Sequence, residues 1–319
     1  MRKSMVVIGT LLLSAFVIAA CDDDDMAMPE QKTITQTAAE TPRFSILVAA
    51  LQRTGLNVVL NGSDQYTVFA PNNDAFSDLL DALGVADLDD LSAAVGGDAL
   101  ANILLYHVLQ GEVKARDVTT GFVATAGVYN GIDGANLSAF IDASAGVRIN
   151  DEAEVINTDI DASNGVIHEL NGVILPKNLV ELASLSPSHT SLVAAVGAAD
   201  AVVAARLSSE TEVTTVFAPT NDAFANLLDA AQVNDLAELV AAIGVDGLTS
   251  VLLYHTVNGN VRSTGVPNGG VATLEGTLIS TNPTALTITD VNGTVANIEV
   301  TDIQGTYGVI HVVDAVIQP

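Results

Sequence analysis

The chain has 319 residues, 49% of them apolar and only 4% aromatic, with no tryptophan and a formal net charge of −27. That length suggests two domains at the usual scale of roughly 150 residues each, with cores built from Val, Leu, Ile and Ala. A surface this acidic repels phosphate backbones and anionic headgroups, which excludes nucleic acid as a partner and argues against electrostatic binding to lipid.

The chain opens with the basic Met1-Arg2-Lys3-Ser4, followed by an apolar stretch from Met5 to Ile18. Together these read as an export signal, and the stretch is short for a membrane-spanning helix. It ends in Ile18-Ala19-Ala20-Cys21, and Cys21 is the only cysteine. This resembles a bacterial lipobox, which implies cleavage before Cys21 and attachment of lipid to its sulfur. Residues 1–20 are therefore expected to be a lipoprotein signal peptide. Cys21 is the expected lipidation site and the membrane the expected partner of that lipid. The implied location is the cell envelope, at the outer membrane or cell surface in preference to the inner membrane. Removing residues 1–20 discards Arg2 and Lys3 and no acid, leaving 9 basic against 38 acidic residues, or −29. With its one cysteine committed to the anchor, the mature chain has no internal disulfide.

Cys21 is followed by four aspartates, and residues 21–40 are polar and aperiodic, which predicts a flexible tether. Thr41-Pro42 reads as a cap and first-position proline, opening an apolar helix from about Arg43 to Gly55. Thr67-Val68-Phe69-Ala70 reads as a short strand ended by Pro71. Asn72-Asn73-Asp74 then caps a helix whose apolar face is Phe76, Leu79, Leu80 and Leu83. A further helix is predicted over about Asp98–Tyr106, turning into a strand after Gln110-Gly111. The rest of this half reads as short strands with turn signals at Asp133-Gly134 and Asn164-Gly165, and Arg148 and Asn150 alternate with Val147 and Ile149 as in a half-buried strand.

The same elements then recur. TVFAPNNDAF at Thr67–Phe76 returns as TVFAPTNDAF at Thr215–Phe224, differing only in Asn72 against Thr220. LVAAL at Leu47–Leu51 returns as LVAAV at Leu192–Val196, and LLYHVLQGEV at Leu104–Val113 as LLYHTVNGNV at Leu252–Val261. NGVIHELNGVILP at Asn164–Pro176 returns as YGVIHVVDAVIQP at Tyr307–Pro319. Four blocks in one order at nearly one offset mean two copies of one domain, expected at 41–178 and 186–319 and touching across a short linker. The second copy gains three residues before the decapeptide and loses five after the Tyr-His block, changes that belong in surface connections. Helices in the first half and strands in the second half of each copy predict an α+β fold.

These blocks identify the chain as similar to tandem fasciclin (FAS1) domain proteins. The decapeptides resemble the family's first signature, the NGVIH and YGVIH blocks its second, and Tyr106-His107 and Tyr254-His255 the pair between them. The resemblance covers nearly everything from about residue 41 to 319. It implies, in each domain, a β-sandwich or wedge with the helices of the first half packed on it. It also implies a binding role in adhesion or matrix attachment rather than catalysis, and in bacteria a secreted or lipid-anchored surface location. In animal relatives integrin recognition is tied to the tyrosine–histidine pair and to an Asp-Ile before the second signature. Here those positions are Tyr106, His107, Asp159 and Ile160, and Tyr254, His255, Asp302 and Ile303. They form the candidate partner-binding surface, for a protein or polysaccharide ligand. Some relatives carry carotenoids between sheet and helices, which gives the alternative of an apolar-ligand carrier.

Four of the five histidines lie in repeated blocks: His107, His168, His255 and His311. No HxH, HxxxH or HExxH spacing accompanies them, so they read as packed, hydrogen-bonded imidazoles and no metal site is expected. His107 and His255 follow a helix, where partial positive charge is favourable. No GxSxG elbow supports a nucleophile. The runs at Asp159–Gly165 and Thr289–Thr294 lack the pattern of a calcium-binding EF-hand loop and read as hairpin turns. No catalytic residue and no cofactor is expected.

Overall fold

A computed structural model describes residues 31–129 and 134–319. The expected signal peptide, Cys21, the aspartate run and Asp133 lie outside the described residues. Residues 34–39, expected to lie in a flexible tether, are instead helical. α1 (Ile34–Ala39) is a helix with a complete capping box between Thr33 and Gln36, and Ile34 and Ala38 are buried. Two apolar residues four apart suffice to dock one helical turn pair on a core, and aperiodicity over so few residues hides them.

In the first domain Pro42–Phe44 form a 3-10 turn leading into α2 (Ser45–Thr54), which Gly55 ends in the left-handed conformation. Thr41 does not cap this helix; its hydroxyl donates back to the Thr37 carbonyl at 2.8 Å. α3 (Leu56–Val59) and β1 (Tyr66–Pro71) follow. Asn72 accepts from the Ala75 N–H at 2.9 Å and starts α4 (Asn73–Leu83) as predicted. Of its expected apolar face only Phe76 is fully buried, while Leu83 is 50% exposed. α5 (Leu88–Val95) was not legible, because Asp89 and Asp90 mask its one buried residue, Leu91. α6 (Gly97–Tyr106) leads directly into β2 (Val108–Gln110), so this strand precedes Gly111 rather than following it.

β3 (Gly121–Val128), β4 (Asn136–Asp142), β5 (Arg148–Ile149), β6 (Ala153–Ala162) and β7 (Gly165–Leu170) complete the domain. Strand order is β2-β1-β7-β6-β5-β4-β3, and the outer strands β2 and β3 lie against one another, so the sheet folds back as a wedge. β1 pairs in parallel with β7, with Phe69 opposite His168. The two signatures, about a hundred residues apart, are thus neighbouring strands. Gly165 permits this: a Cβ there would stand 1.9 Å from the Tyr66 carbonyl oxygen, and its φ is +135°. Gly308 repeats the arrangement against Thr214, with φ +154°.

The second domain comprises α7 (Leu179–Leu185), a 3-10 turn at Pro187–His189, α8 (Thr190–Ala198), α9 (Ala201–Leu207), β8 (Thr214–Pro219) and α10 (Asn221–Ala231). α11 (Leu236–Tyr254) follows, broken at Gly244, and then β9 (Thr256–Asn258), β10 (Gly269–Ala272), β11 (Leu278–Asn282), β12 (Thr287–Thr289), β13 (Val295–Gly305) and β14 (Gly308–Val313). Its seven-stranded sheet is β10-β11-β12-β13-β14-β8-β9. The three gained residues lengthen a helix, α9 against α3, rather than a connection. Residues Lys32–Pro319 form one compact unit. β4 and α7 pack at the junction of its two domains, as do β4 and β13. Phe122 packs on the second domain's core and Val213 on the first's.

Candidate functional site

Each domain builds the same network from the bottom up. Thr67, first residue of the decapeptide, is fully buried; its hydroxyl donates to the Gly111 carbonyl and accepts from the Val113 N–H, both at 2.8 Å. This clamps the loop after β2. His168 of the second signature donates Nε2–H to the Val113 carbonyl at 2.9 Å and accepts the Asp159 N–H on Nδ1 at 3.2 Å. Asp159 sits in a bulge of β6 with φ +58°, and its carboxylate accepts the Ala115 N–H at 2.9 Å. In the second domain Thr215, His311 and Asp302 (φ +63°) hold Gly259, Val261 and Ser263 in the same way. The Asp-Ile positions are therefore joined to both signatures through one loop.

The rim of that loop differs between copies. In the first domain Lys114 bridges Glu112 and the exposed Asp161. In the second, Gln304 occupies the Asp161 position and is fully buried, bonded to Asn260 and Arg262, and the Arg262 guanidinium lies 3.7 Å from Asp302. Asp159 is exposed and Asp302 half-buried. Ile160 is half-buried, and Ile303 is 3% exposed within the second domain's core.

The tyrosine–histidine pairs do not reach the surface. Tyr106 and Tyr254 are fully buried, and His107 and His255 nearly so. The Tyr106 hydroxyl donates to the Ser138 carbonyl at 2.7 Å and accepts from the Asn150 amide at 2.9 Å, and burial pushes its pKa up. The Tyr254 hydroxyl donates to the Leu278 carbonyl at 3.0 Å. His107 Nδ1–H donates to the Ile103 carbonyl at 2.8 Å, and its Nε2 accepts the Ile174 N–H at 3.0 Å. His255 repeats this with Val251 and Ile317. Burial pulls both imidazoles from the ordinary 6.5 down to about 4, against a smaller upward pull from the carbonyl bond. The expected benefit of positive charge at the helix end is thus outweighed by desolvation. Of the eight candidate residues, the exposed carboxylate of Asp159 and the half-buried one of Asp302 remain as the polar contact positions.

All four repeated histidines spend both ring nitrogens on backbone groups. Among the described residues no cluster of three His, Cys, Asp or Glu side chains is placed to hold a metal. Asn150, expected as a solvent-facing strand residue, is buried with φ +53° and also accepts the Phe140 N–H. Asparagine tolerates that conformation, but nothing in an alternating pattern announces it. Ser138 escaped the sequence reading too: its hydroxyl accepts the Gln304 N–H at 3.0 Å across the domain boundary.

Comparison with known proteins agrees with this architecture. The fasciclin domain model matches residues 42–176 and 187–319. The chain is 39% identical over 163 residues to Protein sll1483 of Synechocystis, covering 51% of this chain and 81% of that protein. It is 35% identical over 153 residues to the transforming growth factor-beta-induced protein ig-h3 of Sus scrofa, covering 48% of this chain and 20% of the relative. With the cell surface glycolipoprotein MPB83 of Mycobacterium bovis it shares 29% identity over 151 residues, 46% of this chain and 61% of the relative. The solved FAS1 domain pair of the insect cell adhesion molecule Fasciclin I superposes with a TM-score of 0.55 at 15% identity, over 87% of this chain and 97% of that one. The chain belongs to the fasciclin domain family and carries two copies of the domain.

Proposed function

We propose that this chain is a lipid-anchored protein of the cell envelope whose paired fasciclin domains mediate adhesion by binding a protein or polysaccharide. The observation that carries the reading is the occurrence, twice, of a fasciclin domain in which every repeated histidine is locked in backbone bonds. Such imidazoles brace a scaffold and are not themselves free to serve as general bases. The surface location is supported by similarity to a cell surface glycolipoprotein and by the sequence around Cys21. Binding falls to the loops after β2 and β9 with Asp159 and Asp302. Two loops on one chain gain avidity wherever both can be engaged.

The test has two parts. Externally added protease should remove the protein from intact cells. Full-length Asp159→Asn with Asp302→Asn, at unchanged melting temperature, should lose binding to cells or glycans. Binding that persists undiminished in that variant refutes the assignment of the loops.

The carrier alternative is favoured by one feature, a groove of about 330 Å³ between α10 and α11 lined by Phe224, Leu227, Leu239, Ile243 and Val251. By contrast the apolar cavity between sheet and helices in the same domain is only about 30 Å³, room for a water-sized body and not a polyene. A visible absorption band or lipid co-extracted with purified protein would decide for the carrier.

A further inference from the structure

The fifth histidine does something different. Pro187-Ser188-His189 is the second domain's copy of Pro42-Arg43-Phe44: each is a 3-10 turn running into a helix, and each buries its third residue. In the first domain that residue is the fully buried Phe44, enclosed with Leu47, Leu51, Val68 and Ile167. In the second an imidazole takes the phenyl position, 4% exposed, and neither Nδ1 nor Nε2 has a hydrogen-bond partner. A neutral imidazole always presents one N–H and one lone pair, so both a buried donor and a buried acceptor go unpaired. Native cores rarely tolerate this without a reason.

The position matters as much as the chemistry. The turn lies between α7 and α8, and α7 packs on β4 of the first domain as well as on β13 and β14 of its own. The turn that holds His189 packs on α7 and α8, so α7 is the one element between it and the domain junction. The groups able to counter a charge there are few. α8 carries no titratable residue, and on α7 Glu181 is committed to the backbone N–H of Asn178 at 2.8 Å. α10 reaches the turn through the Asn221 amide, which donates to the Pro187 carbonyl at 2.8 Å, and its Asp222 and Asp229 are exposed. On α9, Arg206 is paired with Glu212, and on α11, Glu238 is bonded to Asn234 and Asp246 is exposed. None of these groups acts on the ring's charge, and burial alone disfavours its protonated form.

We propose that His189 is an acid-operated release point at the domain junction: when the ring takes up a proton, the Pro187–His189 turn leaves the core, α7 and α8 loosen from the sheet, and the two domains reorient. The sign follows from burial. The closed arrangement needs a neutral ring, so it is complete above the ordinary imidazole range near 6.5 and is lost as pH falls below it.

Hydrogen exchange on the full chain between pH 7 and pH 5, corrected for intrinsic rates, tests this. Protection of amides in residues 179–198 should fall at least about tenfold more than that of the first-domain counterparts, α1 and α2. In His189→Phe the excess loss should vanish, because the second domain then carries the first domain's residue. His189→Leu serves as a second variant in case the phenyl ring overpacks, and it too should remove the excess. Absence of excess loss in the wild-type chain overturns the proposal, as does its persistence in a folded variant.

Discussion

Besides His189, acidification should act on stability through the two histidines that follow the helices α6 and α11. Each ring accepts a backbone N–H on Nε2, from Ile174 at 3.0 Å and from Ile317 at 3.1 Å. A proton on Nε2 removes that acceptor and places a cation in a dry site. The folded chain holds both rings near 4, against 6.5 when exposed. The unfolded chain therefore binds more protons between those values, and stability falls as pH drops through 6.5 toward 4. At pH 5 each ring should cost roughly 2 kcal/mol, taking 1.36 kcal/mol per pH unit. That is a large fraction of a typical stability of about 5–15 kcal/mol. Ordinary carboxylates, near 4, remain mostly ionised over this interval, so they blur the effect little. The assay is urea unfolding at pH 7, 6 and 5, beside imidazole titration by NMR. His107→Gln with His255→Gln should be less stable at pH 7 and should lose about 2 kcal/mol of pH dependence per site. Ring titration near 6.5, or an unchanged pH slope in the double variant, would refute the reasoning.

Gly165→Ala and Gly308→Ala should each cost more than about 3 kcal/mol in urea unfolding, because a Cβ would meet a carbonyl oxygen at 1.9 Å. Exchanging the caps, Asn72→Thr or Thr220→Asn, should be nearly neutral, whereas alanine at either should cost about 1 kcal/mol; thermal melts distinguish the two. Asp159→Ala should lower stability by about 1–2 kcal/mol, since it strands the Ala115 N–H and places alanine at φ +58°. Asp159→Asn keeps the acceptor and tolerates the conformation, and its melting temperature should match the wild type's.

What the sequence by itself determined was whatever depends on near neighbours and on repetition. Two domains follow from four repeated blocks. The caps at Asn72 and Thr220 act on an N–H three residues away, so their role was written locally. The α+β class followed from where helical and strand patterns lie. The tertiary structure alone decided which of the repeated residues face solvent. A Tyr-His pair has an apolar body and polar tips, and the same letters suit a contact surface or a core whose tips find carbonyls. Residues as distant as Ser138 and Ile174 supply those partners, and no window of sequence contains them. The parallel pairing of β1 with β7 likewise brings Phe69 to His168 only when every intervening element is folded. His189 became readable only beside Phe44, because each closes a 3-10 turn into the core and the imidazole there has no partner.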